Sequence, residues 1–454
     1  MNSKRNDLTQ GVIWKKLMLF FLPVAAGTLI QQTYNAVDAA IVGKYVGTTA
    51  LAAVGGSVSH ILNVMVGFFI AMTAGSSVII SHFYGSKDLE KVGAAARTGI
   101  SFCNIIGLVV TVIGILGSRT MLRWMGTPAE TIDDAEVYLK LCFAAAWAVL
   151  IYNMGAGILR ASGDSRRPFI YLASCALTNI VLDLVFVVGF DMGVAGAAIA
   201  TSLSQFVSAG LVLLRLYTAD EPYRLQFKPF SINGLILSRM MKIGIPSGLQ
   251  SSMYSVSNML VQVGVNSLGA TFVAAWSLTG KLDGFYWAIM TAVGTSVISF
   301  VGQNYGAGDF ARIRESVRVS LRLFMVFTVI TMGVFTLGGK LMLALFTNDT
   351  ALIDLTYHVL MYFVPFYIIW TVIEIHAGAL RGAGDATAPV IYTGIFTCLL
   401  RVIWVATVFR MAPSIECLCW CYPLTWVLTC IPMVLRYRSE KWLPEQFRGQ
   451  LKKS

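Results

Sequence analysis

Residues Gly157–Pro168 read GILRASGDSRRP, and residues Gly378–Pro389 read GALRGAGDATAP. Both satisfy Gly-x-Leu-Arg-x-x-Gly-Asp-x-x-x-Pro, and they lie 221 residues apart in a chain of 454. Each closes one apolar run and opens the next, continuing into Ile170-Tyr171 or Ile391-Tyr392. A repeat at half the chain length means two copies of one design. Within each copy the glycine permits a tight helix exit, the aspartate can cap the next helix, and the proline suits its first turn. Arg160, Gly163 and Asp164, with Arg381, Gly384 and Asp385, therefore read as structural corners, with an inner gate as the alternative role.

What those corners join is set by composition. The chain is 56% hydrophobic and 13% charged, with mean hydropathy +0.71; soluble domains carry nearly twice that share of charge. Tyr45–Ser86, Thr98–Ser118, Met192–Leu214, Ile243–Gly280 and Gly284–Gly308 contain no Asp, Glu, Lys or Arg, and each reaches the length of about 20 residues that a spanning helix needs. The expectation is an all-α polytopic membrane protein of about twelve transmembrane helices. They fall near 15–43, 50–80, 96–118, 138–159, 168–190, 193–217, 239–267, 272–302, 318–338, 355–379, 387–409 and 414–436. No secretory signal stands out at the N-terminus.

The net charge of +11 does not require nucleic acid. With the N-terminus placed in the cytoplasm, 26 of the 34 Lys and Arg fall on inner segments and only Lys44, Arg119, Arg123, Lys140, Lys340 and Arg410 on outer loops. That asymmetry orients a multi-pass chain of the inner (cytoplasmic) membrane with both termini cytoplasmic; the excess can also contact anionic lipid. Six helices precede the polar stretch 218–238 and six follow, which makes the repeat parallel. The division is an N-lobe at 1–217, a cytoplasmic linker at 218–238, a C-lobe at 239–437 and a basic tail at 438–454. Pro246 answers Pro23, Gly269, Thr271 and Ala274-Ala275 answer Gly47, Thr49 and Ala52-Ala53, and Asn304-Tyr305-Gly306-x-x-Asp309 answers Phe83-Tyr84-Gly85-x-x-Asp88.

Ionisable side chains at membrane depth are costly and face a protein interior or a wet cavity. Asn179 and Asp183 share one helix face; with Thr201 on the next helix and Asp38 on the first they offer only oxygen donors. Such a set suits Na+ at Asp38, Asn179 and Asp183, or a proton shared by two carboxylates, against the plainer reading of helix-to-helix hydrogen bonding. One repeat later Leu400 and Trp404 replace Asn179 and Asp183, which confines this candidate to the first half. The second half has its own charges as a possible proton or substrate site. Glu374 stands there against simple pairing with Arg401, and Lys281 and Asp283 read as a local neutralising pair.

Gln31, Tyr34, Tyr152, Met253, Tyr254, Trp287 and Met290 could line a site for a planar cation through aromatic and thioether contacts; most side chains at such spacings only pack. Cys417, Cys419 and Cys421 read as packing residues rather than metal ligands. His-Glu-x-x-His, Gly-x-Ser-x-Gly and Walker A patterns are missing, so the chain reads as no enzyme, with no cofactor, and as drawing on an ion gradient of Na+ or H+.

At this point the chain resembles the multidrug and toxic compound extrusion (MATE) family. The likeness rests on Tyr34-Asn35-Ala36-Val37-Asp38 with Pro23 before it, on Gln303-Asn304-Tyr305-Gly306, and on the two repeated turns. It implies two six-helix lobes around a central cavity, alternating between outward- and inward-open forms. It also implies export of small organic cations or amphipathic drugs against inward Na+ or H+, most simply by a monomer in the lipid bilayer. Asp38, Asn179, Asp183 and Thr201 match the family's coupling-cation set residue by residue. The departure is at Pro246–Leu268, which lacks the carboxylate that some branches carry there. The alternative is a lipid-linked saccharide flippase of the same broad superfamily, favoured by Lys281 and Arg401; an integral membrane transferase or a passive channel fits less well.

Overall fold

The structure is a computed structural model that describes residues 7–47, 58–225 and 231–448. Lys4, Arg5, Thr49, Ala52-Ala53, Lys228, Pro229, Lys452 and Lys453, together with the start of the run expected at 50–80, lie outside the described residues. Every regular element among the described residues is helical.

The first half comprises α1 (Ile13–Ile41, closing in a π turn at Val42–Val46), α2 (Ser59–Gly85), α3 (Leu89–Trp124), α4 (Ile132–Ala144), α5 (Ala146–Ala161), α6 (Arg166–Asp183, closing in a π turn at Leu184–Gly189) and α7 (Gly193–Thr218). The second comprises α8 (Gly234–Ser267), α9 (Ala270–Gly306), α10 (Phe310–Ala344), α11 (Thr350–Phe363), α12 (Tyr367–Gly382), α13 (Thr387–Tyr392, closing in a π turn at Thr393–Leu399), α14 (Leu400–Ala406), α15 (Val408–Met411) and α16 (Ile415–Arg438). Among the described residues ten spans are long and apolar enough to cross a membrane, and an eleventh is the broken pair α4–α5, bent by 41°. The 34-residue α8 is long enough as well, at about 1.5 Å per residue, but Arg239, Lys242 and a run of Ser, Asn and Gln lower its hydropathy. About twelve spans result. Three expected single helices are interrupted: 138–159 at Ala145, 387–409 at Thr407, and 355–379 at a 3-10 turn over Val364–Phe366, where Pro365 removes a backbone donor.

The repeat is visible in the backbone. Gly163 and Gly384 take φ of +85° and +95°, Gly47 and Gly269 +116° and +105°, and Lys87 and Gly308 +60° and +73°. Asp164 accepts from the Arg167 amide at 3.1 Å and Asp385 from the Ala388 amide at 3.4 Å, so both corners are capped turns. Asp88 and Asp309 cap α3 and α10 through the amides of Lys91 (3.2 Å) and Arg312 (2.9 Å). Hydrogen bonds from Lys91 hold the Asp88 carboxyl below the usual carboxylate range.

Two compact units form. Unit 1 is Met1–Asp7 with Leu22–Ser252, and unit 2 is Leu8–Phe21 with Met253–Ser454. In unit 1, α5 is central and packs on α2, α3 and α7; in unit 2 its repeat partner α12 packs on α9, α10 and α16. Small residues make these approaches possible: a Cβ on Gly157 would meet Ser77 Oγ at 2.3 Å, and one on Gly382 the Ile298 carbonyl at 2.8 Å. The first half of α8 joins unit 1 because Gly75 and Gly244 let its backbone touch α2. Leu8 joins unit 2 by donating to Gln303 Oε1 (3.1 Å) and accepting from Asn304 Nδ2 (3.2 Å), which gives the Gln303-Asn304 pair a structural task.

Candidate functional site

Unit 1 gathers the four oxygen-bearing residues expected from sequence. Asn179 and Asp183 sit one turn apart at the end of α6, fully buried. Asn179 Nδ2 donates to Thr201 Oγ1 of α7 at 3.4 Å, and Asp38 of α1 adjoins Asp183. Asn179 Oδ1, both Asp183 oxygens and Asp38 Oδ1 are buried and accept no hydrogen bond among the described residues. Leaving a buried carboxylate undonated is expensive, and this cluster consists of hard oxygen atoms. A monovalent cation or a proton fits the donor set. The set holds only two carboxylates, and no group of three or more His, Cys, Asp or Glu able to hold a metal occurs among the described residues.

Local structure supports that geometry. Asp183 ends α6 where the π turn Leu184–Gly189 begins, and Asp38 stands one turn before the π turn Val42–Val46. Such turns recur at functional sites because the extra residue re-aims side chains. Tyr138 of α4 reaches Thr201 and Tyr34 reaches Gln31 and Gln205, both tyrosines lying within the field of the Asp38 carboxyl. Tyr138 and Gln205 were not expected; the packing of α4 on α7 brings in the first, and the contact of Tyr34 on α1 with α7 brings in the second.

Unit 2 is arranged differently. Glu374 does not pair with Arg401: it accepts from Arg381 Nη2 of its own helix at 3.2 Å, two turns on, and lies against Gly294. Lys281 and Asp283 do not neutralise each other. Lys281 is exposed over the Phe346 ring at 5.5 Å, while Asp283 accepts from Trp287 Nε1 at 2.5 Å and from the Tyr367 hydroxyl. Adjacent-but-one residues on a helix point some 200° apart, which is why the local pair fails. Arg401 is 3% exposed. It donates to Asn258 Oδ1 at 3.2 Å and Thr425 Oγ1 at 3.4 Å and covers the Tyr422 ring at 4.0 Å.

Of the aromatic and thioether candidates, Tyr152 and Met290 are buried; Tyr152 donates to the Pro168 carbonyl at 3.1 Å and Thr371 donates to Met290 Sδ at 3.5 Å. Both are packing residues. Tyr34 is buried beside Asp38, Gln31 is exposed, and Met253, Tyr254 and Trp287 are half-buried. Trp287 meets Trp370 at 4.8 Å and Trp426 at 6.2 Å, an aromatic wall inside unit 2. The eight cysteines are free.

A repeated helical bundle with undonated carboxylate oxygens buried among its spans has the construction of a membrane transporter. A family model described as MatE matches residues 23–185 and again 246–407, one match to each half. The chain belongs to this family and is a transmembrane transporter, not an enzyme. The probable multidrug resistance protein YoeA of Bacillus subtilis is 26% identical over 389 residues, covering 84% of this chain and 83% of the relative. The multidrug export protein MepA of Staphylococcus aureus is 24% identical over 380 residues, covering 84% of each. A solved multidrug resistance MATE family transporter of the MOP superfamily, in an outward-facing conformation, matches across 100% of both chains with a TM-score of 0.90 at 22% identity; this likeness concerns the fold.

Proposed function

We propose that the protein exports small organic cations or amphipathic drugs, coupled to inward movement of Na+ or H+ through Asp38, Asp183, Asn179 and Thr201. The observation that carries this reading is the set of buried, undonated oxygens on α1 and α6. Multidrug resistance and export are the activities named for the relatives, which supports the substrate class. An entering cation balances the negative charge of the two carboxylates and bridges α1 to α6. Coupling follows if the α1 arrangement that binds the cation differs from the one that holds substrate, since an ion shifts an equilibrium only by its difference in affinity for the two states. The π turns beside Asp38 and Asp183 are the local elements able to repack. The 26-to-6 distribution of basic residues supports an inner-membrane chain with both termini cytoplasmic; the reading takes the protein as a monomer with lobes at 1–217 and 239–437, a linker at 218–238 and a basic tail at 438–454.

The test is transport of a fluorescent organic cation into proteoliposomes, with Na+ and pH gradients imposed separately. Movement under one gradient and not the other names the ion; movement under neither rejects the coupling. One observation favours a second reading. Arg401 is a buried cation that meets an amide, a hydroxyl and an aromatic face instead of an acid, which suits an anionic substrate such as a lipid-linked saccharide. Scrambling of such a lipid without either gradient would select it.

A further inference from the structure

Away from these groups, unit 2 holds a cavity of about 330 Å³ where the first turns of α10, the middle of α12 and the end of α16 meet. That volume is at the lower end for small-ligand sites. Arg314, Arg318 and Arg438 line it, with Glu440 as the one carboxylate. Glu440 is consumed by Arg314. Arg318 and Arg438 are exposed and make no ion pair among the described residues, so the cavity keeps two uncompensated guanidinium groups. The Tyr437 hydroxyl also lines it, buried and without a hydrogen-bond partner. Its ring is held rigidly: Trp442 stacks on it at 5.4 Å and 7°, Trp442 Nε1 donates to the Tyr437 carbonyl at 2.8 Å, and His376 packs edge-on at 5.1 Å. Val317 and Leu321 supply an apolar wall.

We infer that this cavity binds a phosphate group, held by Arg318 and Arg438 and by a hydrogen bond from the Tyr437 hydroxyl. Guanidinium forks match phosphate oxygens in pairs, and a buried hydroxyl with no acceptor is a donor waiting for one. The apolar wall and the stacked Trp442–Tyr437 rings suit a phosphate carried on an amphiphile, because basic pockets between spanning helices take anionic headgroups and aromatic side chains gather at the membrane interface. A phospholipid headgroup and a free phosphate compound share this chemistry. The cavity shares no residue with Asp38, Asn179, Asp183 and Thr201, so the site stands or falls independently of the coupling reading.

The experiment is thermal unfolding of the full-length protein in neutral detergent, titrated in one arm with phosphatidylglycerol and in the other with inorganic phosphate. Phosphatidylcholine serves as the zwitterionic control. A saturable rise in the midpoint is expected in at least one anionic arm. Saturation with phosphatidylglycerol alone identifies a lipid site, and saturation with phosphate identifies a free-anion site. The double variant Arg318→Gln/Arg438→Gln should weaken the apparent affinity ten-fold or more. Tyr437→Phe removes an oxygen that bonds nothing in the structure; its unliganded midpoint should be unchanged and its affinity several-fold lower. A flat titration in both anionic arms, a response equal to that of phosphatidylcholine, or an unchanged affinity in Tyr437→Phe overturns the inference, whether or not the double variant folds.

Discussion

Asp38 of α1 adjoins Asp183 of α6, and no hydrogen-bond donor among the described residues serves Asp38 Oδ1 or either Asp183 oxygen. Two buried carboxylates in contact repel unless a proton or a metal ion lies between them. The contact therefore carries an electrostatic tension that a proton or an ion relieves, and tension of that kind is what an ion can exchange for a change in helix packing.

Asp183→Asn relieves that tension. The new amide can donate to Asp38 Oδ1, which has no donor now, and a hydrogen bond to a charged group contributes about 1.5–3 kcal/mol. The variant should unfold at a higher temperature than the parent in Na+-free buffer. It should also lose any Na+-dependent rise, which for an ion at a hundred times its dissociation constant amounts to about 2.7 kcal/mol. Differential scanning fluorimetry with and without Na+ reads both. Gradient-driven export by Asp183→Asn and by Asp38→Asn should fall at least ten-fold with the protein folded; full export by either variant rejects the site.

Glu374 and Arg381 offer a test of a structural charge. Their side chains are 18% and 20% exposed and meet through one contact of 3.2 Å, so the pair is neither screened by bulk water nor fully desolvated. Glu374→Gln, Arg381→Gln and the double variant form a cycle whose coupling should be about 1 kcal/mol, between the values for surface and buried pairs. Strict additivity in denaturant unfolding would show that the contact contributes nothing. Loss of export in Glu374→Gln beside unchanged stability would move this acid from architecture to coupling.

How much of this was readable beforehand depends on how far apart in the chain the partners lie. The two capped corners were legible because glycine, aspartate and proline act within one turn of themselves. Asp38, Asn179, Asp183 and Thr201 could be grouped because polar residues stand out in apolar runs and α6 and α7 are consecutive. The charges of unit 2 were misassigned for a physical reason: Arg401 finds Asn258 on α8 and Thr425 on α16, and no local pattern encodes those choices. Glu374 and Arg381 could have been paired by their spacing of two helical turns. The break at Ala145 lies in a plain alanine stretch, Ala144-Ala145-Ala146, and follows from packing alone.

Lys87 takes φ +60°, where its repeat partner Gly308 takes +73°. A side chain in the left-handed region costs about 1–2 kcal/mol, and glycine escapes that cost while losing some chain entropy. Lys87→Gly should therefore stabilise the protein by about 1 kcal/mol, with the Asp88 cap on α3 kept. A lower unfolding midpoint would mean that the Lys87 side chain contributes more than its backbone costs.

Gly75 and Gly67 lie on the same helix and predict opposite outcomes for one methyl group. A Cβ on Gly75 would stand 2.3 Å from the Met240 carbonyl oxygen and 2.6 Å from the Gly244 nitrogen. Both are backbone atoms of α8, so no side chain can rotate away and the helices themselves must part. A Cβ on Gly67 meets Ser251 Oγ first, at 3.7 Å, an ordinary contact. Overpacking a well-fitted interface costs about 1–3 kcal/mol, and an alanine in place of a mid-helix glycine gains up to about 1 kcal/mol. Gly75→Ala should lower the unfolding midpoint, while Gly67→Ala should leave it unchanged or raise it. Equal behaviour of the two variants would show that the α2–α8 contact in unit 1 is not as close as described.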